Sequence, residues 1–361
     1  MNRIRAAVIG CGHLGSIHAK LLAARSDVEL IAVSDPIVLS RSRLAQECAC
    51  NAVENSEDLS GRVDVVVIAA PTCLHESVSM PLIEAGIHVF IEKPLATTAS
   101  QAKRLVAAAH RHRCVVAVGH VERFNPAWKA SKVGRGQLLS VEAVRRAPFT
   151  YRSLDVGVVL DLMIHDIDLL LSLSPGNLKN VEAIGIVATG GHEDAVRARL
   201  LFDSGVMATL TASRISPVLE RKIDVWSTET MVSIDFNAKS ISVLEPSEDV
   251  RQGKFNALSM VTSNTTAAKD RFFTDVLHHT APAIPEGNAI VSEHDDFLDA
   301  VRQSRKPTVS GEDGLRAIEV AEAILESLTL SRMGQKDQMF RLIPSSDSAN
   351  AFDSGWLQKT G

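Results

Sequence analysis

Along its first 118 residues the chain alternates short, nearly continuous apolar runs with longer stretches of 3.6-residue periodicity. The runs Ile4–Ile9, Glu29–Ser34, Val63–Ala69, His88–Glu92 and Val115–Val118 predict strands. Between them Ser16–Ala24, Leu39–Cys48, Glu76–Ala85 and Ser100–His112 predict helices. Strands apolar on both faces and separated by helices belong to a parallel sheet covered on both sides, so this part is expected to be doubly wound α/β.

After Gly119 the pattern changes. A helix is predicted at Pro126–Lys132, a strand at Leu138–Arg145 and a second helix at Leu160–Leu173. Strand-like runs then follow one another with only turns between: Val181–Ala188, Ala195–Phe202, Val206–Ser213, Lys222–Ser227, Met231–Phe236 and Ser240–Leu244. Consecutive strands predict a large, mostly antiparallel sheet in an α+β domain. Glu245–Gly287 is polar with weak periodicity and reads as loops and short elements, and helices are predicted at Glu293–Ser304 and Gly311–Ser331. The expected organisation is a first domain over 1–122, a second over 123–343 and a polar tail over 344–361.

Composition narrows the function classes. Of 361 residues 45% are apolar and 22% charged, the proportions of an ordinary globular protein. The net charge of −5 gives no global basic field, so nucleic acid is not an expected partner. No run approaches the roughly eighteen apolar residues of a membrane span, so no membrane partner is expected. The basic start and Ala6–Ile9 imitate a signal peptide, but glycines follow at once and a buried first strand is the expected reading. The five cysteines, Cys11, Cys48, Cys50, Cys73 and Cys114, show neither disulfide-framework nor zinc spacing, which fits a reducing cytoplasm and no metal.

Gly10-Cys11-Gly12-His13-Leu14-Gly15 follows the first predicted strand and opens the first helix, and Asp35 stands twenty residues beyond Gly15 at the end of the second strand. Glycines there permit a tight turn and close approach of backbone to a pyrophosphate resting on the helix N-terminus. Asp35 would accept hydrogen bonds from a ribose 2′-hydroxyl and repel a 2′-phosphate, which favours NAD; Arg41 and Arg43 keep NADP as the alternative. Glu92-Lys93-Pro94 ends the fourth strand, and Ala70-Pro71-Thr72-Cys73-Leu74-His75 follows the third. Carboxyl ends of strands in a doubly wound sheet are where ligands bind, so Pro71, Thr72, His75, Glu92 and Lys93 are candidates to face the cofactor.

Within Leu160–Leu173, a regular helix at about 100° per residue places His165 some 40° from Asp161 and Asp168 some 20° to its other side, while Asp166 points elsewhere. Nearly all other positions are apolar, so the three form a narrow ionisable stripe on a buried helix. Such a stripe is costly unless paired or facing a wet cleft. Histidine there can exchange a proton near neutral pH.

These three motifs, in this order and spacing, resemble the glucose-fructose oxidoreductase/inositol dehydrogenase (Gfo/Idh/MocA) family over about residues 3–330. The resemblance implies a Rossmann domain followed by an α+β domain whose open sheet forms homodimers or homotetramers. It also implies hydride transfer between a pyridine nucleotide and a sugar, inositol or related carbon. Carried over by position, Lys93 binds and polarises the reacting hydroxyl, His165 is the acid/base supported by Asp161, and Asp168 has a supporting role. Relatives also imply a cis Lys93-Pro94 peptide.

Gly119-His120-Val121-Glu122-Arg123-Phe124-Asn125-Pro126 and Asp155–Asp161 further resemble members that oxidise the 3-hydroxyl of UDP-N-acetylglucosamine. Arg123, Asn125 and Arg152 are then candidate substrate contacts beside Lys93, Asp161 and His165, and Arg123, Arg145, Arg146 and Arg152 could clamp a diphosphate. The competing reading is that Arg145 and Arg146, adjacent on a strand, point to opposite faces and make surface ion pairs. A free sugar or inositol is the alternative substrate. A catalytically silent nucleotide sensor or scaffold is the alternative of another class, disfavoured by retention of Lys93, Asp161 and His165 together.

Overall fold

A computed structural model describes residues 3–151, 155–260, 269, 271–333 and 339–341 of the chain. The first sheet contains β1 (Ile4–Ile9), β2 (Val28–Ser34), β3 (Asn51–Val53), β4 (Val65–Ile68), β5 (His88–Glu92) and β6 (Val116–Gly119). All its pairings are parallel, in the order β3-β2-β1-β4-β5-β6. The strand order reverses beside β1, so the carboxyl ends of β1 and β4 open a crevice there. The helices His13–Ala23, Val38–Cys48, His75–Glu84 and Ala99–His112 cover its two faces. Ala99–His112 starts at a capping box in which Thr98 and Gln101 satisfy each other's backbone N–H groups. The five predicted strands are all present. β3 was not predicted, because three residues that are exposed or half-buried at the sheet edge carry no apolar period.

The second sheet has ten strands: β7 (Leu138–Arg146), β8 (Leu178–Val187), β9 (Ala195–Phe202), β10 (Met207–Ser213), β11 (Glu220–Ser227), β12 (Met231–Asp235), β13 (Ser240–Pro246), β14 (Leu277–Thr280), β15 (Leu328–Arg332) and β16 (Met339–Arg341). Their order is β14-β13-β12-β11-β7-β10-β9-β8-β15-β16. Pairing is antiparallel except β7 with β10 and β8 with β15. The inner face buries Val141, Ala143, Ile223, Val225, Leu200 and Leu210 against the helices Ile164–Ser172 and Gly311–Ser327.

Two expectations change here. The final helix ends at Ser327 rather than Ser331, because Leu328 and Leu330 are buried where β15 completes the open edge of β8. A helical period and a strand period both fit so short an apolar run, and the unpaired edge decides. Secondly, the helices Ala289–Gln303 and Gly311–Ser327, expected in the second domain, return to the first: Phe297 and Leu298 pack with Phe90, and Ile318 joins the core beneath Ile91 and Leu95. The region 245–287 supplies short helices at Glu248–Arg251 and Ala257–Met260 and the edge strand β14, on which His279 Nε2 lies 2.9 Å from Ser242 Oγ. The tail over 344–361 and Arg152 lie outside the described residues. No helix among the described residues is long and apolar enough to cross a membrane.

Candidate active site

Gly10 has φ +92°, and a Cβ there would stand 2.5 Å from Ala69 O, so the turn requires glycine. A Cβ on Gly15 would stand 1.7 Å from Gly10 O, which lets the helix start directly under the turn. Gly12 faces open space. Bare backbone, an open face and an adjacent helix N-terminus fit a pyrophosphate. Asp35 leaves the end of β2 with its carboxylate accepting the Cys11 and Ile37 N–H groups at 2.7 and 2.8 Å, which fixes it at the rim of the turn. Arg41 is held by the backbone oxygens of Asp35 and Pro36 and by Glu54, and Arg43 is exposed beside Glu47.

The crevice, of about 220 Å³, is lined by Leu14, Ala69–Thr72 and Glu92–Pro94 from the first sheet and by Asp155, Val156, Leu160 and Asp161 from the second domain. His13 and Leu14 are exposed at its mouth, as is Pro71, whereas Thr72 is buried. His75 turns away: its two ring nitrogens lie 2.9 Å from the backbone oxygens of Ala70 and Pro94, so it fastens the two loops that form the rim. The Lys93-Pro94 peptide is cis. Lys93 Nζ donates to Asp161 O at 2.6 Å and to Asp161 Oδ1 at 3.1 Å, joining the end of β5 to the second domain across the crevice.

The expected three-residue stripe is broken. The turn Val159–Met163 is π-helical and only Ile164–Ser172 is α-helical, so the 100° spacing does not extend back to Asp161. Asp161 therefore pairs with Lys93, and no Asp161–His165 hydrogen bond exists among the described residues. Asp168 is buried with Arg123 3.6 Å from its carboxylate, and burial pushes its carboxyl up to about 7. His165 is partly exposed, with a buried Nδ1 that has no partner. Burial, then the charges of Lys93, Arg145 and Arg221, hold its pKa well below the ordinary histidine value. It is a neutral imidazole at pH 7.

Of the arginines expected to clamp a diphosphate, Arg123, Arg145 and Arg146 are engaged elsewhere. Arg145 is buried, holds Asp166 through Nε and Nη2, and donates to Glu122 Oε1 at 2.9 Å. Arg146, on the opposite face, pairs with Glu220 at 3.0 Å. Arg123 also donates to the backbone of Thr308 at 3.2 Å. Asn125 caps the helix Pro126–Ser131 by accepting the Ala127 N–H, while its amide donates to Glu122.

Two buried groups were not singled out from sequence. His120, at the end of β6, has neither ring nitrogen partnered, and burial with the charges of Arg123 and Lys93 lowers it to about 3. Behind Glu92, His18 Nε2 lies 2.8 Å from Glu92 Oε1 and His18 Nδ1 lies 2.7 Å from His294 Nε2. Glu293 faces them, buried and without a hydrogen-bond donor; burial and the neighbouring Glu92 charge raise its pKa well above the carboxylate range. Ligand-type atoms of His18, Glu92 and Glu293 lie within 4.8 Å of one another, but the His18–Glu92 hydrogen bond already uses the nitrogen a cation would need. The helices His13–Ala23 and Ala289–Gln303 carry His18, Glu293 and His294 on their buried faces and β5 ends in Glu92, so only packing these elements together reveals the cluster.

Comparison with known proteins decides what this arrangement belongs to. Residues 4–120 match the oxidoreductase family with an NAD-binding Rossmann fold, and residues 103–233 match the GFO/IDH/MocA C-terminal domain. The chain belongs to the Gfo/Idh/MocA family. It is an oxidoreductase acting on CH–OH groups, with an NAD-binding Rossmann domain. It is 31% identical over 322 residues to UDP-N-acetylglucosamine 3-dehydrogenase of Acidithiobacillus ferrooxidans, covering 89% of this chain and 96% of that one. A solved structure of that protein superposes with a TM-score of 0.79 at 30% identity, covering 91% of this chain and 98% of that one. Inositol 2-dehydrogenase of Rhizobium meliloti is 25% identical over 350 residues, covering 91% of this chain and 98% of that one. GenD2 from gentamicin A biosynthesis, solved with NAD, has a TM-score of 0.73 at 25% identity, covering 91% of this chain and 94% of that one. This Gfo/Idh/MocA member joins Lys93 to Asp161 across the crevice, and the Lys93 charge adds to burial in lowering the His165 pKa.

Proposed function

We propose that the protein is an NAD-dependent dehydrogenase of a nucleotide sugar, acting at the 3-hydroxyl of UDP-N-acetylglucosamine. The observation that carries the reading is the Lys93–Asp161 bridge at the crevice mouth. The 31% identity to a UDP-N-acetylglucosamine 3-dehydrogenase over 89% of the chain supports this substrate over the inositols of more distant relatives.

NAD, when bound, would supply the acceptor for the hydride of the reacting carbon. Gly10, Gly12, His13, Leu14 and Gly15 would hold its pyrophosphate, Asp35 its adenosine ribose, and Pro71, Thr72 and Glu92 would line its reacting end. Engagement of Arg41 with Asp35, Pro36 and Glu54 supports NAD rather than NADP. An ammonium has three N–H donors. Two of those on Lys93 go to Asp161, leaving one aimed by them for the substrate oxygen. As hydride leaves, that donor stabilises the oxygen and the neutral imidazole of His165 accepts the hydroxyl proton. Asp161 thus positions Lys93 rather than His165. A silent nucleotide sensor needs none of these groups, which disfavours that reading.

The outer face of the second sheet exposes Met207, Trp226 and Met231 in one row across neighbouring strands, with Ile184 and Ile186 beyond β9. Apolar residues so grouped support a homo-oligomer formed through this sheet.

The test is a panel of UDP-sugars, free hexoses and inositols with NAD and a carbonyl trap, followed by NADH absorbance and product mass. UDP-N-acetylglucosamine is expected to give a 3-keto product, and free N-acetylglucosamine far less. Efficient oxidation of a free sugar or inositol with no response to any nucleotide sugar overturns the assignment.

A further inference from the structure

The inner rim of the second sheet carries two arginines side by side. β7 and β11 are antiparallel, and Arg145 stands directly opposite Arg221. Residues directly opposite in an antiparallel pair project from the same face. Arg145 runs beneath the helix Ile164–Ser172 to Asp166, so Arg221 leaves the sheet on that inner side. The buried Ile223 and Val225, two and four residues on, confirm which face this is.

The two have opposite surroundings. Arg145 is buried and fully paired, whereas Arg221 is exposed and, among the described residues, has no side-chain hydrogen bond or ion pair. On the outer face of the same two strands Arg146 pairs with Glu220, and Lys222 with Glu220 and Asp235. Arg221 also bears on the reacting groups, because its charge helps hold the His165 imidazole neutral and stabilises the Asp166 carboxylate. An exposed guanidinium whose charge reaches the histidine is placed to meet an anionic part of a substrate.

We propose that Arg221 is the residue that recognises the phosphate of the nucleotide sugar, the role that Arg145 and Arg146 cannot fill. The inference rests on the nucleotide-sugar reading above and adds to it the residue that makes the substrate's nucleotide count. A guanidinium presents two parallel N–H donors to phosphate, a geometry that an ammonium lacks. The energy of that remote contact positions the reacting carbon.

Steady-state kinetics of wild type, Arg221→Gln and Arg221→Lys with UDP-N-acetylglucosamine and with free N-acetylglucosamine test it, alongside calorimetric binding of UDP to the protein saturated with NAD. Arg221→Gln is expected to raise KM for the UDP-sugar about 10–100-fold, weaken UDP binding in parallel, change KM for the free sugar far less, and leave NAD affinity unchanged. Arg221→Lys falls between. Removing the nearby positive charge also raises the His165 pKa, so the acid limb of kcat/KM moves to higher pH, a change that a structural role alone would not produce. If wild type oxidises UDP-sugars and Arg221→Gln does so with the same KM, Arg221 is not the phosphate contact although the substrate reading stands. If wild type neither binds UDP nor oxidises any nucleotide sugar, both proposals fall.

Discussion

Lys93 and Asp161 meet across the crevice through two contacts at one ammonium, 2.6 Å to the backbone oxygen and 3.1 Å to the carboxylate. The first contact survives any change of the Asp161 side chain, and the second depends on its charge. Lys93→Met is therefore expected to lower kcat about 10²–10⁴-fold with NAD affinity retained. Asp161→Asn keeps the backbone contact and is expected to lose less, about tenfold. Isothermal titration with NAD and single-turnover hydride transfer check both. An Asp161→Asn variant as slow as Lys93→Met would mean that Asp161 does more than aim the lysine.

The two glycines of the turn are expected to fail differently. Gly15→Ala places a Cβ 1.7 Å from Gly10 O, backbone that cannot move aside, so the variant is expected not to accumulate as folded protein. Gly12→Ala meets nothing within 4 Å and keeps an ordinary φ of −71°. It is expected to fold with wild-type Tm and to lose about tenfold or more in NAD affinity, because its methyl occupies the face offered to pyrophosphate. Circular dichroism and NAD titration separate the two cases.

Arg145 neutralises Asp166 and Glu122 in a buried site. Arg145→Met leaves two uncompensated carboxylates and is expected to cost about 3–5 kcal/mol of stability. Adding Asp166→Asn and Glu122→Gln is expected to recover much of that loss. Thermal unfolding of the single and triple variants reads the difference, and no recovery would place the loss in packing rather than charge.

Asp168 is held at about 7 by burial, above its unfolded value of 3.8. Between those values the folded chain binds the proton that the unfolded chain has released, so this group's contribution to stability falls as pH rises through that window. Asp168→Asn cannot ionise. It is expected to match wild type in Tm near pH 4 and to exceed it by several degrees at pH 8. Parallel Tm profiles from pH 4 to 8 would remove Asp168 as the cause.

The His18–Glu92 and Lys93–Asp161 contacts show where sequence reading stops. The turn at Gly10, Gly12 and Gly15 was legible because backbone conformation at a strand–turn–helix junction is set within a few residues of chain, and Asp35 was legible as the acidic residue that ends the second strand. Lys93 was legible as a strand-end residue, yet its partner was not. A regular helix assigned Asp161 to His165, and one π-helical turn gave it to Lys93 instead.

What the sequence by itself determined are the parallel first sheet, the glycine turn, the acidic residue at the end of β2 and the mostly antiparallel second sheet. Each is a local period or a local backbone requirement, and near neighbours in the chain suffice to express it. Tertiary structure alone decided that Arg145 is buried while Arg221, its cross-strand neighbour, is exposed, and that Leu328–Arg332 is a strand. It also turned His75 away from the crevice and brought Glu293 against Glu92. Those outcomes depend on which charge or which open sheet edge arrives from a distant part of the chain. Desolvation then raises the energy of every buried charge left without a partner.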